Sequence, residues 1–284
     1  MLVSREELRF DFKGASFDLR SEKDLKLLGW IFNQFLYGEV TGIQCGYWLY
    51  RAPHLNAAAF LAKQAGEEIS HVRRVLRVLS LLGQTPSQAS RAIQFLSTGM
   101  MGGTWAEHVI LEMALGEGLV LGVFYAMADT LDHEEVKRIL IQASAEEEKH
   151  VEFGEREALI VLEKYPEMTS FLKTLAWIQY LGLNYLKKAI LRKINQEGLG
   201  THPVFSQFEA FYDHTLRTFE LRIRRLGLCK SSFSEIRLFE RVIRVIQLPF
   251  QMILYRLKYK TPLLTESYLD DPVIHAEVHR SSPS

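Results

Sequence analysis

Along most of the chain, apolar residues recur every three or four positions, and short breaks of Gly, Pro, Ser and Thr separate these stretches. That spacing winds an amphipathic helix, because residues three and four apart share a face. Runs that alternate Val or Thr with polar residues are not found, so the pattern predicts an all-α chain. The first helix is expected from Ser21, an N-cap with Asp24 in the capping-box position, to Tyr50. Arg51-Ala-Pro-His54 breaks it, and a second helix runs to about Leu82, stopped by Gly83. A Gly-, Ser- and Thr-rich stretch over 83–103, with a short helix around Ser90–Leu96, crosses to a third helix from Thr104 to Thr130. Asp132 is expected to cap a fourth, which ends near Tyr165-Pro166.

Three further helices are expected near Thr169–Gln196, Val204–Leu226 and Ser232–Lys258, with Pro249 kinking or ending the last. The division that follows is an N-terminal extension (1–20), a four-helix bundle (21–165), basic C-terminal helices packed on it (166–260) and an irregular tail (261–284). No stretch was expected to reach the roughly 18–20 apolar residues of a spanning helix. The longest candidate, Val242 to Tyr255, is interrupted by Arg244, Gln247, Pro249 and Gln251.

Two sequence features carry chemistry. Glu68-x-x-His71 and Glu147-x-x-His150 each place a carboxylate and an imidazole one turn apart on one helical face. A single match is weak, since about 0.8 is expected by chance in a chain of this composition. The hairpins supply a stronger test. In an antiparallel pair, residues equidistant from the turn lie at the same height. Glu39 and Glu68 have their midpoint between Pro53 and His54, and Glu117 and Glu147 have theirs at Asp132, both inside expected turns. Glu112 competes with Glu117, but its offset from Glu147 corresponds to a height mismatch of roughly 7 Å.

Burial agrees. Glu39 shares a face with Phe32, Phe35, Leu36, Ile43 and Tyr50, and Glu117 with Ile110, Met113, Ala114, Val120, Leu121 and Phe124. A carboxylate on an apolar face is costly unless something neutralises it. Four glutamates and two histidines between helices call for two divalent cations, and mixed carboxylate and imidazole ligation suits iron or manganese. Gly116 and Gly118 flank Glu117, with Gly122 about a turn on and Gly46 on the first helix, which leaves either room for a substrate or close helix packing. Tyr47 and Tyr125 each lie eight residues after a candidate ligand and are candidate redox residues, while Cys45 could approach the site or serve as a small buried hydrophobe.

One Glu on each of two helices, with Glu-x-x-His on each of two others and a long crossover between the hairpins, resembles the ferritin-like di-iron carboxylate superfamily over about Ser21 to Tyr165. An acidic residue precedes each motif, giving Glu67-Glu68-x-x-His71 and Glu146-Glu147-x-x-His150, as in many oxygen-activating members. The resemblance implies that Glu67 orients His150 and Glu146 orients His71. The stretch Glu147-Glu-Lys-His150-Val-Glu-Phe-Gly-Glu155 is also similar to the corresponding helix of the aldehyde-deformylating oxygenases. Together these imply an oxygen-activating oxygenase or oxidase with two Fe ions (alternatively Mn/Fe), dioxygen, a small apolar, lipid-like organic substrate and a separate electron donor. Ferroxidase or peroxidase activity, a tRNA-hydroxylase-like reaction and non-enzymatic metal binding are the alternatives.

Charge adds a last division. Net charge is zero, but 1–170 holds 17 basic and 24 acidic side chains, 171–260 holds 16 and 6, and the tail 1 and 4. Arg222, Arg224, Arg225, Arg237, Arg241 and Arg244 sit beside Phe233, Phe239 and Phe250. Helices covering the bundle are the first reading of this region, and peripheral membrane contact is the second. No nucleic-acid motif is found, and a homodimer is compatible with the pattern. Two cysteines and the non-apolar start Met1-Leu-Val-Ser-Arg-Glu-Glu point to the cytoplasm.

Overall fold

A computed structural model describes residues 1–98, 102–233, 236, 238–260 and 262–274. Among these residues the chain is helical, with no strand. The elements are α1 (Arg5–Leu8), α2 (Glu22–Gly42), α3 (Leu55–Leu81), α4 (Arg91–Thr98), α5 (Trp105–Thr130), α6 (Glu134–Lys164), α7 (Thr169–Gln196), α8 (Phe208–Arg225), α9 (Leu238–Lys258) and α10 (Leu264–Ser267).

The two helices bearing Glu-x-x-His are α-helical throughout, and their buried positions explain why. In α3 the buried stripe is Ala57, Leu61, Gln64, Glu68, His71, Val75 and Val78. In α6 it includes Val136, Leu140, Ala143, Glu147, His150, Gly154, Ala158 and Val161. Both follow steps of three and four, so each motif lies on its helix's inward face. Each helix starts on a histidine cap: the side chain of His54 accepts from Ala57 N–H at 3.0 Å, and that of His133 from Val136 N–H at 3.4 Å. The cap of α6 is therefore His133 rather than Asp132; an imidazole nitrogen supplies the same acceptor as a carboxylate.

The other two long helices depart from α geometry. The first is α-helical only to Gly42 and continues as a 3₁₀ helix over Ile43–Arg51, not as an α-helix to Tyr50. The tighter winding takes Tyr50 off the buried face and leaves it exposed. In α5 a π-helix spans His108–Glu117 between α-helical turns. This helix is also long and apolar enough to cross a membrane by length and composition, contrary to the sequence expectation. Most of it is buried, which accounts for its apolarity: Val109, Ile110, Met113, Ala114, Leu115 and Leu121 are inaccessible to solvent.

Helix α2 packs on α3, α5 on α6, and α3 on α6. The C-terminal helices belong to the same core. Phe171, Trp177, Phe219 and Phe233 are buried in one cluster with Trp48, Val109, Met113 and Phe153. Arg222 of α8 is buried and pairs with Glu155 of α6 at 2.8 Å. Its guanidinium occupies the space that a side chain at position 118 would need, so Gly118 marks close packing. Pro249 lies inside α9 without ending it. After Lys260 the chain is not wholly irregular: α10 and a 3₁₀ turn at Tyr268–Asp270 follow, and Asp271 accepts from Leu55 N–H at 2.6 Å. The expected start of α9 at Ser232 falls partly on 234, 235 and 237, and Arg237 and the tail from 275 lie outside the described residues.

Candidate metal centre

Six side chains from four helices converge between α2, α3, α5 and α6. They form two groups whose candidate ligand atoms lie within 4.8 Å of one another: Glu39, Glu68, His71 and Glu147 in one, Glu68, Glu117 and His150 in the other. Glu39, Glu68, His71, Glu147 and His150 are buried. Glu117 keeps some exposure as a residue, yet its Oε2 is sealed from solvent.

The imidazoles organise the cluster. His71 Nδ1 lies 3.1 Å from Glu39 Oε2, 3.1 Å from Glu147 Oε1 and 3.9 Å from Glu68 Oε2. His150 Nδ1 lies 3.4 Å from Glu68 Oε1 and 3.5 Å from Glu147 Oε2. Glu68 and Glu147 thus each direct one oxygen toward each ring. The outer nitrogens turn away: His71 Nε2 donates to Glu146 at 2.8 Å, and His150 Nε2 to Glu67 at 2.9 Å. Each outer carboxylate meets a cation, Arg74 bidentate on Glu146 at 2.7 and 3.0 Å and Lys63 on Glu67 at 3.0 Å.

The winding of the 3₁₀ stretch accounts for the position of Glu39. Counting residues from the turn sets Glu39 opposite Glu68. Nine residues at the 3₁₀ rise are about 4.5 Å longer than at the α rise, which is three residues of an α-helix. Glu39 accordingly meets His71 rather than only Glu68. The backbone near it is close as well, since a Cβ on Gly42 would collide with the Glu68 carboxylate. Glu117 closes the π-helix, and thirteen α-helical residues separate it from the turn, so its height count holds. Glu112, inside the π segment, is not in the cluster and instead accepts from His108 Nδ1 at 2.8 Å.

The charges are mutually adjusted. Burial pushes Glu39 up to about 8 and raises Glu117 well above the usual carboxylate range. Burial also opposes ionisation of Glu147, but the neighbouring His150 and His71 imidazoles win and hold it at about 2. For the imidazoles burial opposes charge, yet the surrounding carboxylates dominate. His71 is pushed up to about 11 by Glu147 and Glu39, and His150 to about 12 by Glu147 and Glu68.

Three polar atoms at the centre have no hydrogen-bond partner although they are buried: Glu117 Oε2, His150 Nδ1 and Gln64 Oε1. Buried polar atoms are seldom left unpaired. Orphaned oxygen and nitrogen donors facing inward among four carboxylates form a donor set that fits divalent cations, iron and manganese among them.

The structure does not bring Tyr47 to this cluster. The residue is 59% exposed, because the 3₁₀ winding breaks the eight-residue α register from Glu39. Tyr125 is buried, but its hydroxyl donates to Glu148, which Arg5 pairs on the N-terminal side of the molecule. Cys45 is buried nearby, and burial together with the charges of Glu68 and Glu117 pushes its thiol up. Gly46 has no neighbour within reach of an added Cβ, whereas Gly116 approaches Leu111 O.

Gln64, Arg74 and Lys63 were missed in the sequence. Gln64 donates to Glu117 Oε1 at 2.9 Å and is fully buried. Its signal was available, because Gln64, Glu68 and His71 fall on one helical stripe. Arg74 sits three residues after His71, but nothing in its spacing distinguishes it from a solvated arginine.

No family model matches the chain, and no curated protein and no solved structure matches it either.

Proposed function

We propose that the protein is a ferritin-like di-iron (or manganese–iron) oxidoreductase that activates dioxygen to oxidise an apolar organic substrate. The observation that carries this reading is the paired arrangement of the imidazoles: both Nδ1 atoms face inward, toward the buried carboxylates of Glu39, Glu68 and Glu147, while both Nε2 atoms are held by outer carboxylates. Hydrogen bonds from the outer ring nitrogens to carboxylates fix the tautomer and raise ligand basicity, and a cluster stabilised only by its own salt bridges has no need of them.

Glu39, Glu68, His71 and Glu147 would hold one ion, and Glu68, Glu117 and His150 the other. When bound, two such ions supply the electrons that reduce dioxygen by two. The chain's own residues do the positioning. Glu146 and Glu67 accept the Nε2 protons and keep Nδ1 free to ligate. Gln64 steadies one oxygen of Glu117 and leaves the other directed inward. Burial of the cluster excludes bulk water from the reacting volume. Phe32 and Phe35 of α2 and Phe124 of α5, with successive ring centroids 5.6 and 5.0 Å apart, give the bundle an apolar, aromatic interior compatible with an apolar substrate.

Metal analysis after expression with iron and manganese tests the reading. About two ions per chain are expected, and about one for Glu117→Ala. Less than one ion in the unsubstituted protein would overturn it. Oxygen consumption with fatty aldehydes, fatty acids or tRNA then separates oxygenase from the alternatives, and uptake driven by Fe(II) alone with mineral formation would indicate a ferroxidase instead.

A further inference from the structure

Helix α9 is apolar on both sides. Its inner side packs on the core through Leu248, Met252, Tyr255 and Tyr259, with Tyr255 stacked on Phe171 at 5.0 Å. Its outer side carries a second stripe: Phe239, Val242, Ile246, Phe250, Ile253 and Leu257, in steps of three and four. These side chains are open to solvent, and Phe239, Ile246, Phe250 and Leu257 are each 70–77% exposed. A stripe of this size on a helix about 30 Å long requires an occupant.

The charge around the stripe identifies its class. From Leu238 to Lys260 there are five basic residues and one acidic residue. Arg244 and Arg256 reach back into the protein, to Thr174 at 2.9 Å and Glu107 at 2.7 Å, and tie the helix down. Lys258 and Lys260 are exposed at the end of the stripe. A parallel second copy would bring Lys258 and Lys260 of both copies together at one end of the seam. The tail is a poor cover as well: its described part turns toward Leu55, and 275–284 contain only two aliphatic residues, Ala276 and Val278. An anionic surface with an apolar interior matches both the charge and the stripe.

We propose that α9 is an in-plane membrane helix that seats the protein on an anionic lipid bilayer, with the Phe239–Leu257 stripe among the acyl chains and Lys258 and Lys260 at the headgroups. The proposal does not depend on the metal centre. The anchored helix nevertheless reaches it: Arg256 holds Glu107, which immediately precedes the π-helix ending at Glu117.

Vesicle sedimentation of the full-length protein tests this. Binding is expected to vesicles containing phosphatidylglycerol, to weaken as salt is raised, and to fall at least about tenfold on phosphatidylcholine alone. The double substitution Ile246→Glu, Phe250→Glu should abolish binding, and Ile141→Glu, an exposed position on α6, should leave it unchanged. Because Ile246 and Phe250 are exposed, the variant should melt at the unsubstituted temperature, and circular dichroism checks this. Absence of binding to anionic vesicles, equal binding to both lipids, or binding indifferent to the double substitution would overturn the proposal. A dimer seen by light scattering and dissociated by the same double substitution would assign the stripe to a second copy instead.

Discussion

His71 on α3 donates its Nε2 proton to Glu146 on α6, at 2.8 Å, while its Nδ1 turns toward three other carboxylates. Glu67 and His150 make the reciprocal pair at 2.9 Å. Each motif therefore supplies the outer partner for the other's imidazole. Glu146→Ala or Glu67→Ala should leave every inward donor in place yet weaken metal binding by about 10–100-fold. Titration with Mn²⁺, with circular dichroism as the check on folding, measures this. An unchanged affinity in both variants would reduce the outer carboxylates to surface acids.

Metal loading should release protons. In the metal-free protein the raised values of His71 and His150, about 11 and 12, keep both rings charged at pH 7, and Glu39, at about 8, is largely protonated. The imidazolium form is favoured by Glu147, Glu39 and Glu68, and it competes with metal for Nδ1. Raising the pH removes the competitor, so apparent affinity should climb from pH 6 to pH 9. Calorimetric titration in buffers of different ionisation enthalpy should find about two protons or more released per chain at pH 7. Release of none would mean that the rings are already neutral.

Arg222 and Glu155 form an ion pair at 2.8 Å with both side chains almost wholly buried, and the second Glu155 oxygen accepts from Leu2 N–H. The pair links α8, α6 and the N-terminal segment. Arg222→Met leaves Glu155 buried with only the Met1 ammonium, at 4.0 Å, as a cation and should destabilise the protein by about 3–5 kcal/mol. Denaturant unfolding reads this, and Arg222→Met combined with Glu155→Gln should recover part of the loss. A single substitution costing below about 1 kcal/mol would show that water reaches Glu155.

The helical content and the hairpin turns were readable because apolar spacing and Pro or Gly breaks are local signals. Gly83, Pro53 and Pro166 sit where α3 ends, where α3 begins and where α6 ends. The six convergent residues were readable for a related reason, since Glu68, His71, Glu147 and His150 lie on regular α-helices whose period is known in advance. The 3₁₀ winding after Gly42 and the π-helix over His108–Glu117 were not readable. Residues such as Gln44-Cys45-Gly46 and Glu112-Met113-Ala114 have no composition that separates these windings from an α-helix; packing against α3 and α6 decides them. Tyr47 shows the cost of this, because its spacing from Glu39 presumed a helix that had already changed pitch. Arg222 escaped for the opposite reason: a buried arginine is recognised only once its partner Glu155, sixty-seven residues away, is in place.

The two helices that depart from α geometry are the two that contribute a lone carboxylate, and the two that contribute a Glu-x-x-His pair are uniform. The uniform pair works as a fixed jig, because a three-residue chelate survives only at constant pitch. The 3₁₀ stretch behaves like a threaded adjuster, advancing Glu39 along its axis by a change in winding rather than by an insertion. The reach of Glu39 to His71 is then tuned by residues such as Tyr50 and Arg51 that lie outside the centre, and substitutions there can shift it while all six side chains stay the same.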